Sequence, residues 1–198
     1  MEYFTSDLHL GHANIIALCH RPFSTVEEMD AALIANWNRR VTDRDTVYIL
    51  GDLCFRATDP VRYLTQLKGK KHLILGNHDH NWLRLIPDPS RFFVNCTPCG
   101  GCAQQGDGTP CLTCAKKPRL PWMDVVCTSR GKVTLSHFPL MEHVGKYLIH
   151  GHVHNRTDDP YFPLLSGMET ALNAGVDVNG FLPVTLQELI EKKHKASV

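Results

Sequence analysis

The sequence predicts an α/β fold, and two observations predict it. Short apolar segments with the composition of buried strands alternate with segments of helical spacing. Clusters rich in Asp, Asn and His follow the apolar segments. With 198 residues, 43% of them hydrophobic and 21% charged, the chain is long enough to bury a core. We therefore expect residues 1–198 to form a single domain.

The elements follow from their patterns along the chain. An apolar segment at 3–5 predicts the first strand. Residues 26–41 carry apolar side chains at helical spacing, with acids in the first turn and arginines in the last, which predicts a helix. Strands are also predicted at 46–50, 72–75, 91–95, 124–128, 132–136 and 146–149, and helices at 60–68 and 185–193.

Charge and hydropathy exclude several classes of protein. A formal net charge of +1 creates no overall field that would attract nucleic acid or an anionic membrane. No apolar segment approaches the ~18 residues that a membrane span requires. The first residues lack both the basic and the apolar region of a secretory signal. We expect a cytoplasmic protein that does not bind membranes, and nothing in the sequence indicates its oligomeric state.

Candidate metal ligands follow five of the apolar segments. Because ligand sites of open α/β sheets lie beyond the carboxyl ends of strands, these side chains are expected to converge. A single Asp or His there is usually a turn residue, but five such groups are not explained as independent turns. The candidates are Asp7, His9, Asp52, Asn77, His137, His152 and His154.

The types of ligand indicate which metals would bind. Oxygen and imidazole ligands without thiolate suit Mn, Fe, Zn or Ni and argue against calcium. Two ions ~3.5–4 Å apart need a bridging carboxylate, and Asp52 is the natural candidate. The sequence therefore predicts two divalent metal ions in an active site.

Five motifs in a fixed order resemble a known family. They are DLH at 7–9, GD at 51–52, GNHD at 76–79, His137, and GHVH at 151–154. Together they resemble the calcineurin-like metallophosphoesterase superfamily over residues 3–155, apart from a cysteine-rich stretch, and are most similar to short bacterial and phage members. The resemblance implies a β-sandwich of two mixed sheets flanked by helices. Many members have Asp where this chain has Phe55.

The resemblance also implies the roles of these residues. Asp7, His9, Asp52 and His154 would bind one ion, and Asp52, Asn77, His137 and His152 the other. A hydroxide bridging the ions would attack phosphorus in line. His78 would stabilise the transition state or protonate the leaving oxygen, with Asp79 orienting it. The implied activity is that of a phosphoesterase, with a phosphodiester or a nucleotide favoured over a monoester.

Two further residues in the loop after the first motif are predicted to bind substrate. His12 follows His9 by three residues, so it is expected to lie near the metals. Arg21 could bind a phosphate through two hydrogen bonds. The alternative for Arg21 is a surface ion pair.

Residues 96–123 interrupt the α/β pattern and are rich in cysteine. In a reducing compartment, two Cys-x2-Cys pairs predict a structural zinc ion that folds a stretch otherwise too polar to fold. Cys96 and Cys99 form an alternative first pair. The predicted zinc ligands are Cys99, Cys102, Cys111 and Cys114.

The sequence is also compatible with a second function. Lys116, Lys117 and Arg119 follow the second cysteine pair and could contact a nucleic-acid backbone. The alternative to an enzyme is therefore a nucleic-acid-binding module that uses the zinc insertion and has a weak or vestigial metal centre. A complete ligand set followed by His78 and Asp79 favours the enzyme.

Overall fold

A computed structural model of the chain describes residues 1–96 and 120–196. It is a mixed α/β structure with two sheets. The first sheet contains β1 (Glu2–Thr5), β2 (Thr46–Leu50) and β3 (Lys70–Ile74), in that order and parallel. An antiparallel bridge between Phe4 and Val184 adds a single pair at its edge.

The second sheet is mixed and has four strands. They are β4 (Met123–Thr128), β5 (Gly131–Ser136), β6 (Tyr147–His150) and β7 (Ala171–Asn173). The β4–β5 pair is antiparallel, whereas β5–β6 and β6–β7 are parallel. The family resemblance implied that both sheets are mixed. The second sheet is mixed, whereas the described strands of the first sheet are all parallel to one another.

In the described residues, six helices accompany the sheets. They are α1 (Ala13–Leu18), α2 (Val26–Arg40), α3 (Pro60–Leu64), α4 (Asp79–Leu83), α5 (Phe162–Gly167) and α6 (Leu186–Ala196). The long helix α2 begins at Thr25, whose side chain accepts a hydrogen bond from the Glu28 N–H. Its buried face presents Met29, Leu33 and Trp37 to the core, as the helical spacing predicted.

Alternate residues of the first sheet belong to two different cores. Val47, Ile49 and Leu73 pack in one cluster with the buried face of α2. Their neighbours along the strands, including Leu50 and Ile74, pack in a second cluster with residues of β5 and β6. The two sheets thus face each other across one core, and the helix α2 covers the outer face of the first sheet.

One predicted strand is wrong. Residues 91–95 form no strand, because Pro89–Arg91 make a 3-10 turn that Asp88 caps by accepting a hydrogen bond from the Ser90 N–H. Phe93 makes a single bridge with Lys71 and is buried as a core side chain. The apolar pattern there reflects burial without strand pairing.

The short elements were not predicted. Strand β7 and helices α1, α4 and α5 have three to six residues each, too few for a periodic pattern to be recognised. In the described part of the chain, no helix is long and apolar enough to cross a membrane.

Candidate metal centre

The candidate ligands lie just beyond the ends of strands in both sheets. Asp7 and His9 follow β1, Asp52 follows β2 and Asn77 follows β3. In the second sheet, His137 follows β5, and His152 and His154 follow β6. The facing sheets therefore deliver ligands to one region from two sides, which is the convergence that the sequence predicted.

Asp52 lies between two groups of histidines. Its Oδ2 is 3.6 Å from His9 Nε2 and 3.6 Å from His137 Nε2. On one side, His154 Nε2 is 3.9 Å from Asp7 Oδ1. Asp7, His9 and His154 have ligand atoms close enough to share one ion, as do Asp7, Asp52 and His137.

Asn77 and His152 complete the second group. Asn77 Oδ1 is 3.0 Å from His137 Nε2, and His152 Nδ1 is 3.2 Å from the same nitrogen. His137 donates from Nδ1 to the carbonyl of Leu50 at 2.8 Å, which leaves Nε2 to face Asp52. The structure therefore brings all seven predicted ligands together.

Two buried polar atoms of the candidate ligands have no hydrogen-bond partner. Buried polar atoms are normally hydrogen-bonded. Among the described residues, four buried side-chain atoms have no hydrogen-bond partner, and two of them, Asp7 Oδ1 and His9 Nε2, lie at this site. Burial, followed by repulsion from His154, lowers the pKa of His9 well below its ordinary value, which favours the neutral imidazole that metals bind. The ligand set fits divalent ions.

The backbone at the ligands has an uncommon conformation. Positive φ angles occur at Asp7 (58°), His9 (52°), Asp52 (53°), His152 (70°) and His154 (51°). Side chains other than glycine rarely adopt this region, and such residues cluster at functional sites. Five of the seven predicted ligands thus occupy left-handed turns.

Gly76 permits the close approach of two ligand turns. A Cβ atom at this position would lie 2.7 Å from the backbone nitrogen of Asp52 and would also meet the Asp52 carboxylate. The turns after β2 and β3 can therefore be in contact only if residue 76 has no side chain.

Asp79 is not placed to orient His78, contrary to the prediction. It is fully buried and accepts hydrogen bonds from the backbone N–H groups of Asp52 (2.9 Å), Leu53 (3.1 Å) and Gly76 (2.7 Å). The indole of Trp82 donates a fourth at 2.8 Å. Helix α4 directs this carboxylate behind the ligand turns, so Asp79 joins them instead of reaching the reacting groups.

His78 lies beside Asp52 and is partly exposed. Its backbone N–H donates to Asp52 Oδ1 at 2.9 Å, and its Nε2 lies 3.9 Å from Asp52 Oδ2. Its side chain is 36% exposed, whereas that of Asp52 is 3% exposed. His78 therefore stands at the solvent side of the centre.

Phe55 packs against the histidines of this side. Its ring stacks on His12 with centroids 3.8 Å apart and meets the edge of His78 at 4.8 Å. His12 Nδ1 is 3.2 Å from His9 Nδ1, so His12 does lie beside the metal centre. Burial, followed by the charge of His78, lowers the pKa of His12 to about 4.

Arg21 is not placed to bind substrate, which corrects the prediction. Its side chain is buried, and all five of its N–H donors have acceptors inside the protein. They are the two carboxylate oxygens of Asp177, the carbonyls of Asp7 and Leu8, and the sulfur of Met29. No donor is left for a phosphate.

Asp177 is a site residue that the sequence analysis missed. It lies in a 3-10 turn, Val176–Val178, after β7, and its Oδ2 is 2.8 Å from His154 Nδ1. Although burial opposes it, the bond to Asp177 raises the pKa of His154 to about 10. The polar stretch after a short apolar segment at 171–173 is the signal that could have found it, since the predicted ligands follow strands in the same way.

A cavity of about 230 Å³ is lined by residues that include Gly11 and Arg56, the chain neighbours of His12 and Phe55. Gly11 lines it, and so do the guanidinium-bearing side chains of Arg56 and Arg62 and the acids Asp30 and Asp59. The predicted zinc ligands Cys99, Cys102, Cys111 and Cys114 lie outside the described residues. The alternative ligand Cys96 is described and is a free, half-buried cysteine.

Comparison with known proteins identifies relatives without a stated activity. No family model matches the chain. The uncharacterized protein MJ1445 of Methanocaldococcus jannaschii is 31% identical over 202 residues, covering 99% of this chain and 93% of that protein. The Gene 66 protein of Mycobacterium phage D29 is 32% identical over 174 residues, covering 78% of each.

Solved structures give a matching fold. The protein of unknown function AQ665 from Aquifex aeolicus superposes with a TM-score of 0.66 at 23% identity, covering 97% of this chain and 98% of that one. A Vps29 mutant from Entamoeba histolytica covers 87% of this chain and 72% of its own, at 16% identity and a TM-score of 0.38, which is too low to support an argument. The fold is therefore shared with AQ665, and the chemistry must be inferred from the site.

Proposed function

Since the chain belongs to the family of the uncharacterized protein MJ1445 and the phage Gene 66 protein, whose names state no activity, we propose its function from its own site. We propose a two-metal phosphoesterase of the calcineurin-like metallophosphoesterase superfamily. The observation that carries the proposal is the position of Asp52, whose Oδ2 is equally far from His9 Nε2 and His137 Nε2, at 3.6 Å. A carboxylate between two imidazole groups suits a bridging ligand.

The ligand groups divide between two ions around this carboxylate. Asp7, His9 and His154 would hold one ion, and Asn77, His137 and His152 would hold the other, with Asp52 shared. When bound, divalent ions would supply an activated water and neutralise the charge of the phosphoryl group. Mn, Fe, Zn and Ni suit such oxygen and imidazole ligands.

His78 would act on the substrate from the solvent side of this centre. Its partly exposed imidazole lies 3.9 Å from Asp52 Oδ2, the oxygen that His9 and His137 also approach. It would donate a hydrogen bond to a phosphoryl oxygen or a proton to the leaving oxygen. His12, which is close to His9, is the second candidate for contact with the substrate.

The organic part of the substrate is proposed to be a nucleotide or the second ester group of a diester. Phe138 supports this because it is 37% exposed and its ring lies 4.6 Å from the ring of His152. An exposed aromatic ring next to the ligands offers an apolar surface for an organic group, and stacking on nucleobases is one use of such a surface.

The test is a substrate panel with added manganese. It compares bis-p-nitrophenyl phosphate, p-nitrophenyl phosphate, cyclic nucleotides and single-stranded DNA. We expect metal-dependent turnover that is faster with the diester than with the monoester. Asp52→Asn should abolish turnover, whereas Asp43→Asn, at an exposed acid outside the ligand set, should not change it. Bound metal without turnover of any substrate would contradict the proposal.

A structural zinc ion in residues 96–123 is a separate proposal that rests on the cysteine spacing alone. We expect one zinc ion per chain that resists mild chelation and is lost in Cys111→Ser. If the insertion binds nucleic acid, the affinity for single-stranded DNA should fall steeply with salt. Steep salt-dependent binding with no turnover would favour the alternative of a nucleic-acid-binding module.

A further inference from the structure

Arg21 and Asp177 form a buried ion pair behind the candidate metal centre. Arg21 Nε is 2.7 Å from Asp177 Oδ1, and Nη2 is 3.0 Å from Oδ2. Their side chains are 0% and 1% exposed. The pair joins residues 156 positions apart, one in the loop after α1 and the other in the turn after β7.

Each member of the pair also holds a part of the first ligand group. Arg21 donates to the carbonyl of Asp7 at 2.7 Å and to that of Leu8 at 2.8 Å. These carbonyls belong to the left-handed turn that presents Asp7 and His9. Asp177 accepts from His154 Nδ1 at 2.8 Å, which leaves His154 Nε2 directed at Asp7.

We propose that Arg21 and Asp177 are positioning residues for one of the two metal ions, the ion held by Asp7, His9 and His154. The inference rests on the proposed function. Asp177 fixes the ring orientation of His154 so that Nε2 is the ligand atom, and Arg21 fixes the turn that carries the other two ligands. Partners of this kind commonly orient metal-binding histidines.

The two ligand groups differ in how their histidines are held. His137 in the second group donates to a backbone carbonyl, that of Leu50. His154 in the first group is held by a side chain that is itself held by Arg21. A change at Asp177 should therefore weaken the binding of one ion and leave the binding of the other unchanged.

A purely structural role explains the pair less well. Burying two charges costs free energy that their attraction often fails to exceed, so a link between loops could be made as well by apolar side chains. An apolar pair, however, could not orient His154 or bind the carbonyls of Asp7 and Leu8. Compared with an apolar pair, the charged pair adds the hydrogen bonds to His154 and to the carbonyls of Asp7 and Leu8.

The experiment measures manganese binding by calorimetry in the purified full chain, with Asp177→Asn, Arg21→Lys and Arg40→Ala as variants. We expect two binding sites in the wild type. Asp177→Asn should weaken one of them about 10- to 100-fold and leave the other unchanged. Arg21→Lys should act on the same site, because lysine cannot reproduce the planar set of donors.

Two kinds of control identify the affected ion. Arg40→Ala removes another arginine–carboxylate pair, that with Glu188, which joins α2 to α6 away from the ligands. It should leave both affinities unchanged. His154→Gly should remove the site that Asp177→Asn weakens, and Asn77→Ala should weaken the other one.

Three results would overturn the inference. They are unchanged affinities in Asp177→Asn, equal weakening of both sites together with a lower melting temperature, and weakening of the site that survives in His154→Gly. If the wild type binds no manganese at all, the proposed function fails first, and the inference fails with it.

Discussion

The carboxylate of Asp79 accepts a hydrogen bond from the backbone N–H of Asp52 at 2.9 Å and thereby fixes the turn that carries the central ligand. The same carboxylate accepts from Gly76 in the neighbouring turn and from the indole of Trp82. Asp79 thus joins the turns after β2 and β3 from inside the protein.

We expect Asp79→Ala to destabilise the protein strongly. The change leaves four buried N–H donors without an acceptor, and each such group costs ~1–3 kcal/mol. The free energy of unfolding, measured with urea, should fall by at least about 3 kcal/mol. Asp88→Ala, which removes the cap of an exposed 3-10 turn, should cost only ~1 kcal/mol. Unchanged stability with reduced turnover would instead support the role predicted from the sequence, in which Asp79 orients His78.

His78→Ala should lower turnover without removing metal. Loss of a group that transfers a proton or donates to the transition state reduces kcat by about 10²- to 10⁴-fold. Because His78 is not among the proposed ligands, the metal content and the free energy of unfolding should stay near the wild-type values. His80→Ala is the matched control, since His80 lies two residues further on in α4 and its ring faces Trp122 at 5.1 Å. Wild-type kcat in His78→Ala would exclude the proposed role.

Phe55→Ala should lower turnover to a smaller extent. The ring of Phe55 contacts His12 and His78, and aromatic pairs of this kind contribute about 0.5–1.5 kcal/mol each. Loss of that packing should reduce kcat by up to about tenfold, measured with bis-p-nitrophenyl phosphate and saturating manganese. Phe162→Ala, at an exposed phenylalanine of α5, should have no effect. A normal kcat in Phe55→Ala would show that His78 needs no support from this ring.

Glu188 should give the protein a measurable pH dependence of stability. It caps α6 by accepting from the Thr185 N–H and pairs with Arg40. Burial raises its pKa, but the bonds from Thr185 and Arg40 outweigh this effect and hold the pKa below the ordinary 4.5. A lowered folded-state pKa means that the contribution is complete above 4.5 and is lost as the pH falls through the folded-state pKa.

The measurement compares the melting temperatures of the wild type and Glu188→Gln. At pH 7 the variant should melt about 1–4 °C lower, and the difference should shrink as the pH is lowered below 4.5. Glu191→Gln, which changes an exposed glutamate one turn along α6, should show no such pH-dependent difference in melting temperature. A difference that stays the same at every pH would mean that Glu188 acts without its charge.

Local patterns were enough to predict most of the strands and helices and to select seven candidate ligands that the structure places together. The strand at 46–50 and the helix from 26 are found where the sequence placed them, because apolar spacing reports burial directly. The ligands were visible because each follows a strand. Asp177 was not predicted, because its role depends on contacts with Arg21 and His154, which are far from it in sequence. Arg21 was misassigned for the same reason, as no local pattern reveals that its donors are already used.

The positive φ angles at the ligands also determine which substitution is a suitable control for loss of the ligand. At Asp7, His9, Asp52, His152 and His154, alanine would remove the ligand and leave a Cβ atom in a conformation that it disfavours. Glycine removes the side chain and relieves that conformation as well. At these five positions the backbone conformation that presents the ligand is unfavourable for a residue with a side chain. Each of them therefore lowers the stability of the fold while it builds the site. Glycine, and not alanine, is therefore the neutral reference at which the two effects can be separated.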